Sequence, residues 1–181
     1  MAATDTLPLA GIRVLDLTKL LPGPLATLRL RELGAEVVKI EGPSEQGQDD
    51  GARHMLRTPA EMKSGEPGLM FRQLNAGKQL LRLDLRSGAG RDALLAMVRD
   101  ADVLVEGFRP GVMARLGLGW DVLHAANARL VMCAISGYGR DGPYADKGGF
   151  DLIAQGVSGL MSITGEPDGP PVKTGNPVAD I

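Results

Sequence analysis

Apolar residues in this chain come in short runs separated by polar, Gly- and Pro-rich breaks. "IRVLDL" (Ile12 to Leu17) reads as a buried strand, apolar with a β-branched start. Pro22-Gly23-Pro24 then breaks the chain. "LATLRLRELG" follows with helix formers and stops at Gly34, a C-terminal cap residue. "AEVVKIE" is a second strand, rich in Val and Ile. Strand, Gly/Pro turn, helix, glycine, strand is the outline of a βαβ unit with parallel strands.

From Gly42 to about Leu69 the chain is polar and irregular, long for a structureless connection, which predicts a functional lid or a segment ordered by a partner. "KQLLRLDL" (Lys78 to Leu85) reads as a strand. "SGAGRDALLAMVRDA" reads as a helix with Ser87 as N-cap and Leu94, Leu95 and Val98 on one face. "DVLVEGF" is a strand that ends at the turn "RPG". "VMARLGLGWDVLHAAN" predicts one or two short helices interrupted by Gly117 and Gly119. "ARLVMCAISGYG" is a further strand, and "FDLIAQGVSGLMSIT" a further helix. About five strands alternating with four or more helices predict an α/β fold: a Rossmann-like, open, mostly parallel sheet with flanking helices.

Composition narrows the class. The 181 residues are 44% hydrophobic, enough for one globular core, and 23% charged, with a net charge of −2 and no long single-sign block. This argues against a disordered tail or a broad nucleic-acid surface. Aromatics make up 3% of the chain, so Leu, Val, Ile, Ala and Met must build the core. The stretch "MAATDTLPLAGIRV" lacks a basic region followed by an apolar core, and no apolar run reaches transmembrane length. With one cysteine, Cys133, no internal disulfide forms, and a reducing cytoplasm is expected.

Familiar chemistries find little support. The first strand–helix turn carries PGP where a dinucleotide-binding GxGxxG would stand, and "SGAGRDA" after the third strand fits a plain helix N-terminus. There is no phosphate-binding P-loop, no serine elbow and no Cys–His pair. His54 and His124, with the one cysteine, have no metal-ligand spacing, so no metal site is expected. His124 falls in a helical pattern, which points to a structural role. What remains is carboxylates and glycines. Asp141-Gly142 and Asp168-Gly169 read as turns. Asp151 starts a helix, where a carboxylate suits the dipole. Asp180 ends a Gly/Asn/Pro turn between apolar neighbours. It is open to two readings: a structural acid, or one whose surroundings tune its charge and nucleophilicity.

Three long stretches together resemble one family. They are "LAGIRVLDLTKLLPGPLATLRLRELGAEVVKIEGP", "LNAGKQLLRLDLRSGAGRDALLAMVRDADVLVEGFRPGVMARLGLGWDVL" and "ISGYGRDGPYADKGGFDLIAQGVSGLMSITGEPDGPPVKTGNPVAD". In order and spacing, the chain resembles the family III CoA-transferases, a group that includes the α-methylacyl-CoA racemases. The resemblance implies that Asp180 is the catalytic nucleophile. It implies transfer of CoA from an acyl-CoA thioester to a carboxylic acid through an aspartyl anhydride and an aspartyl-CoA thioester. Coenzyme A is then a substrate, with no tightly bound cofactor. It also implies that residues 1–181 are the N-terminal part of the large domain. A second, smaller domain and the family's glycine-rich loop are then absent. The full-length form is expected to be an interlocked homodimer, and this part alone inactive.

The resemblance also assigns contacts with CoA, position by position. Leu20 and Leu21 match residues lining the CoA site; some transferases have Gln at the second of these. Leu83 and Arg86 match positions near the adenine and phosphates. Phe108 matches an aromatic that contacts CoA, with Gly107 replacing a common Asn, and Arg115 matches a phosphate-contacting arginine. Gly42 replaces a basic residue found in some members. Read without the family, Leu83 and Phe108 would be core and Arg86 and Arg115 solvated charge. The racemases carry a proton-transferring His between a Gly and an Asp. Here the triplet is Gly149-Phe150-Asp151, so a transferase is expected, with Phe150 near the acyl-thioester end; a racemase or a non-catalytic CoA-binding piece is the alternative.

Overall fold

The computed structural model describes residues 7–181. The N-terminal residues 1–6, on which part of the leader-peptide reading falls, lie outside the described residues. Contacts divide the chain into two compact units, Met1–Ile135 and Ser136–Ile181.

The first unit holds five strands: β1 (Arg13–Leu17), β2 (Glu36–Glu41), β3 (Gln79–Arg82), β4 (Val103–Glu106) and β5 (Val131–Ala134). All are parallel, in the order β3-β2-β1-β4-β5. The Rossmann-like reading of the sequence is thus the observed fold. Its helices are α1 (Pro22–Glu32), α2 (Pro59–Ser64), α3 (Leu69–Leu74), α4 (Gly88–Val98), α5 (Val112–Arg115) and α6 (Trp120–Ala126).

Alternation along the strands sends side chains to opposite faces. Leu15 and Leu17 of β1, Ile40 of β2 and Leu104 of β4 join Leu94, Val98, Leu118 and Leu123 in the larger core, beneath α4 to α6. Leu94, Leu104, Leu118 and Leu123 are fully buried, each stabilising by about 1.5–3 kcal/mol relative to exposure. Val14, Val37 and Val105 form a smaller apolar cluster on the opposite face, with Leu30 of α1 packed against it.

Local signals explain the helix ends. The Ser87 hydroxyl accepts the Gly90 N–H at 3.0 Å, which caps α4 as predicted. Gly34 takes φ +108° just past α1 and donates to the Arg31 carbonyl.

Two expectations need correction. Pro22-Gly23-Pro24 opens α1 rather than breaking the chain, because a proline in the first helical turn loses no intrahelical hydrogen bond. The 42–69 stretch is not structureless. It contains two 3₁₀ turns, Ser44–Gln46 and Gly51–His54, then α2 and the start of α3. Thr58 and Glu61 form a capping box on α2: the Thr58 hydroxyl accepts the Glu61 N–H, and the Glu61 carboxylate accepts the Thr58 N–H at 2.7 Å.

The second unit carries α7 (Asp151–Val157) and a 3₁₀ turn, Leu160–Ile163. The expected longer helix is interrupted at Gly159, which takes φ +81°. Asp168-Gly169 forms the predicted turn, with Gly169 N–H donating to the Glu166 carbonyl.

Candidate active site

The sheet order reverses at β1: the chain runs outward through β2 to β3, then returns to place β4 on the other side of β1. In open α/β sheets, the crevice outside the carboxyl ends of the strands at this switch point takes the ligand. Leu20 and Leu21 follow β1 there, and Phe108 follows β4. The two strand ends touch, since a Cβ on Gly107 would lie 3.7 Å from the Thr18 Cβ. Phe108 is half-buried against the larger core, and its N–H donates to the Glu106 carboxylate at 2.7 Å. Leu83 and Arg86 follow the edge strand β3, two strands from β1; Leu83 packs on the larger core and Arg86 is exposed. Arg115, exposed, closes α5. Topology therefore gathers Leu20, Leu21 and Phe108 at the switch point and sets Leu83 and Arg86 along the sheet.

Leu20 has φ +65°, a left-handed conformation uncommon outside glycine. A buried ionic network holds it there. The Asp50 carboxylate accepts the Leu20 N–H at 2.8 Å and the Ala52 N–H at 3.0 Å, and pairs with Lys39 at 3.0 Å. Lys39 also donates to the Thr18 carbonyl. Lys19 donates to the carbonyls of Gln48 and Asp49. Arg53 pairs with Glu41, whose carboxylate accepts the Asp50 N–H at 2.9 Å. Below this, Asp16 pairs with Lys78 at 3.0 Å and accepts from the hydroxyls of Thr18 and Thr27. Lys78 adds bonds to the Pro24 carbonyl and the Asn75 side chain.

The network follows from strand alternation. Val14 and Asp16 share one face of β1, and Val37, Lys39 and Glu41 share one face of β2. Toward the carboxyl ends that face changes from apolar to charged. Sequence reading missed these residues, although the signal was present: "VLDL" and "VVKIE" each place a charge inside a buried strand. Such charges are buried only when paired. Burial opposes ionisation of Asp16, but the ammonium groups of Lys39 and Lys78 and the bonds from Thr18 and Thr27 hold its pKa below the ordinary value.

In the second unit, Asp180 ends a turn closed by its own N–H donating to the Pro177 carbonyl at 3.0 Å. Asp151, the first residue of α7, accepts the Ala179 N–H at 2.9 Å. Asp180 is half-buried. Burial, and then the neighbouring Asp151 carboxylate, push its pKa above the ordinary carboxylate value. A carboxylate stripped of part of its water beside a second acid is a stronger nucleophile once ionised, and perturbed acids of this kind concentrate at functional sites.

The sequence profile of CoA-transferase family III matches residues 9–181. The chain belongs to CoA-transferase family III. Among similar proteins, the succinate–glutarate CoA-transferase of Agrobacterium fabrum is 43% identical over 176 residues, covering 96% of this chain and 43% of that protein. The acetyl-CoA:oxalate CoA-transferase of Acetobacter aceti is 44% identical over 168 residues, covering 93% of this chain and 41% of that protein. A crystal structure of a CaiB/BaiF family protein from Brucella suis aligns with TM-score 0.88 at 37% identity, over 97% of this chain and 45% of that one. The chain thus spans less than half the length of these relatives.

Phe150 precedes α7 and is 63% exposed. His54 lies 3.3 Å from Asp49, and His124 packs against the Trp120 ring on α6. Among the described residues no group of three or more His, Cys, Asp or Glu is placed to hold a metal ion. No described helix is long and apolar enough to cross a membrane.

Proposed function

We propose that these residues belong to an enzyme that moves CoA from an acyl-CoA thioester to a carboxylic acid, with Asp180 as the nucleophile. The observation that carries this reading is the placement of Asp180: a half-buried acid on a closed turn, its preceding peptide tied to Asp151, in a chain of this family.

The reaction runs in four balanced steps. An Asp180 carboxylate oxygen attacks the thioester carbonyl, the C–S bond breaks, and CoA leaves as thiolate from a mixed anhydride. The thiolate then attacks the aspartyl carbonyl, expelling the donor acid as carboxylate and leaving an aspartyl-CoA thioester. The acceptor carboxylate attacks that thioester and releases the thiolate again. Finally the thiolate attacks the acceptor carbonyl, giving the new acyl-CoA and free Asp180. No proton or electron is consumed overall. Each displacement uses an activated carbonyl, so covalent catalysis divides one difficult exchange into easier ones.

Leu20, Leu21 and Phe108 are the apolar contacts proposed for CoA at the switch point, with Leu83, Arg86 and Arg115 toward its nucleotide end and Phe150 toward the thioester. Phe150 has no proton to transfer, which favours the transferase over racemisation at the α-carbon. A second, smaller domain and an interlocked homodimer complete this reading.

The test uses the full-length protein with a donor acyl-CoA and a panel of carboxylic acids. CoA exchange is expected, with a mass increase on Asp180 that hydroxylamine discharges. Both are lost in Asp180→Ala. Exchange that persists in Asp180→Ala overturns the assignment.

A further inference from the structure

Gln155 is 1% exposed in α7, yet it is polar and has no part in the chemistry described above. Both ends of its amide are engaged. Nε2 donates to Asp151 Oδ2 at 2.6 Å, one helical turn away, and Oε1 accepts the Thr174 N–H at 2.9 Å. The other Asp151 oxygen accepts the Ala179 N–H. The Thr174 hydroxyl donates to the Asn176 carbonyl at 2.7 Å. Two points of one strand of chain, Thr174 and Ala179, are therefore tied to one face of α7 on either side of the Asn176-Pro177 turn.

We infer that Gln155 is a positioning residue for Asp180: its amide locks Asp151 to the 174–179 segment and so sets where the carboxylate points. The inference rests on Asp180 being the nucleophile. The chemistry of the pair suits an amide. Thr174 offers a donor and Asp151 needs one, so the residue between them must accept on one atom and donate on the other. Glutamine does both with a fixed polarity. A buried link bonded at both ends orients a reacting group without touching substrate.

The experiment compares Gln155→Met and Gln155→Glu with the wild type, in the full-length protein with an acyl-CoA donor. Methionine keeps the volume and loses both bonds. Turnover and the Asp180 adduct should fall about 10- to 100-fold, as expected for a misdirected reacting group, while the dissociation constant for CoA changes less than about twofold. Gln155→Glu is a pH-dependent version of the same loss. The new carboxylate still accepts from Thr174 but faces Asp151 unless one of the two is protonated. The charged residues of α7 and of the 173–180 segment are Asp151, Lys173 and Asp180; the 160–163 turn bears none. The ratio of variant to wild-type turnover should therefore rise as the pH drops from about 8 to about 5.

Turnover of Gln155→Met within about twofold of wild type, or a Gln155→Glu ratio that is flat with pH, overturns the inference. If Gln155→Met does not fold, the Gln155→Glu ratio decides alone. Failure of the nucleophile reading shows separately, as exchange in Asp180→Ala whatever Gln155 does.

Discussion

The Asp50 carboxylate accepts the N–H of Leu20 at 2.8 Å, reaching across thirty residues of sequence to hold a leucine at φ +65°. The same carboxylate pairs with the fully buried Lys39, so one group serves the backbone of the β1–α1 turn and the charge beneath it. A Cβ on the neighbouring Gly51 would lie 3.3 Å from the Leu20 side chain, which shows how closely the two segments meet.

Removing that group should be severe. Asp50→Ala strands Lys39 in the interior and frees the Leu20 and Ala52 N–H groups, an expected loss of about 3–5 kcal/mol. Urea unfolding of the purified protein measures it. In a Leu20→Gly background the penalty should shrink, because glycine adopts positive φ without help. Equal penalties in both backgrounds would rule out the backbone role.

Acid should expose the lower half of the network. The Asp16 carboxylate has a folded pKa below its unfolded value, so its stabilising contribution is present above the ordinary carboxylate pKa of about 4 and is lost as pH falls through the folded value. Unfolding free energy should drop steeply on that side. Asp16→Asn should be less stable at neutral pH, because Lys78 loses its partner, and should show a shallower acid limb. Denaturant titrations at a series of pH values test both.

Asp180 titrates in the opposite sense. Its pKa is raised by burial and by Asp151, so the ionised form is disfavoured in the folded protein. Stability from this group is present at low pH and is lost as pH rises through the folded value. Asp180→Asn should therefore stabilise the protein at neutral pH, seen as a higher Tm. If Asp180 is the nucleophile, the acid limb of kcat/KM in the full-length protein should lie above that of an unperturbed aspartate and move down in Asp151→Asn. An acid limb that does not move in Asp151→Asn would show that the neighbouring carboxylate is not felt.

Gly149, just before Phe150 and Asp151, cannot take a side chain. A Cβ there would lie 2.5 Å from the Gly137 Cα, and backbone cannot turn aside as a side chain can. Gly149→Ala should destabilise the second unit by about 1–3 kcal/mol, read as faster amide exchange at Ala154 and Ser158.

Much of this was legible in the amino-acid order because it depends on near neighbours. The short apolar, β-branched runs "IRVLDL" and "AEVVKIE", Ser87 before α4 and Gly34 after α1 each act over a few residues, so strands, caps and the parallel class could be read directly. The helix hidden in the 42–69 stretch was also local, announced by Thr58 and Glu61, but its polar surroundings masked the pattern. Asp180 drew notice from its turn and apolar neighbours, and the family resemblance gave it a role.

The amino-acid order by itself determined the strands, most of the helices, the family and the acid at position 180, since these rest on periodicity, caps and turn chemistry within short windows. Only the tertiary structure decided that Asp50 reaches Leu20, that Lys39 and Lys78 find carboxylates in the interior, and that Gln155 bridges Asp151 to Thr174. Apart from Asp151 and Gln155, one helical turn apart, those partners are separated along the chain, and a buried charge or amide is matched to such a partner only when the fold brings the two together.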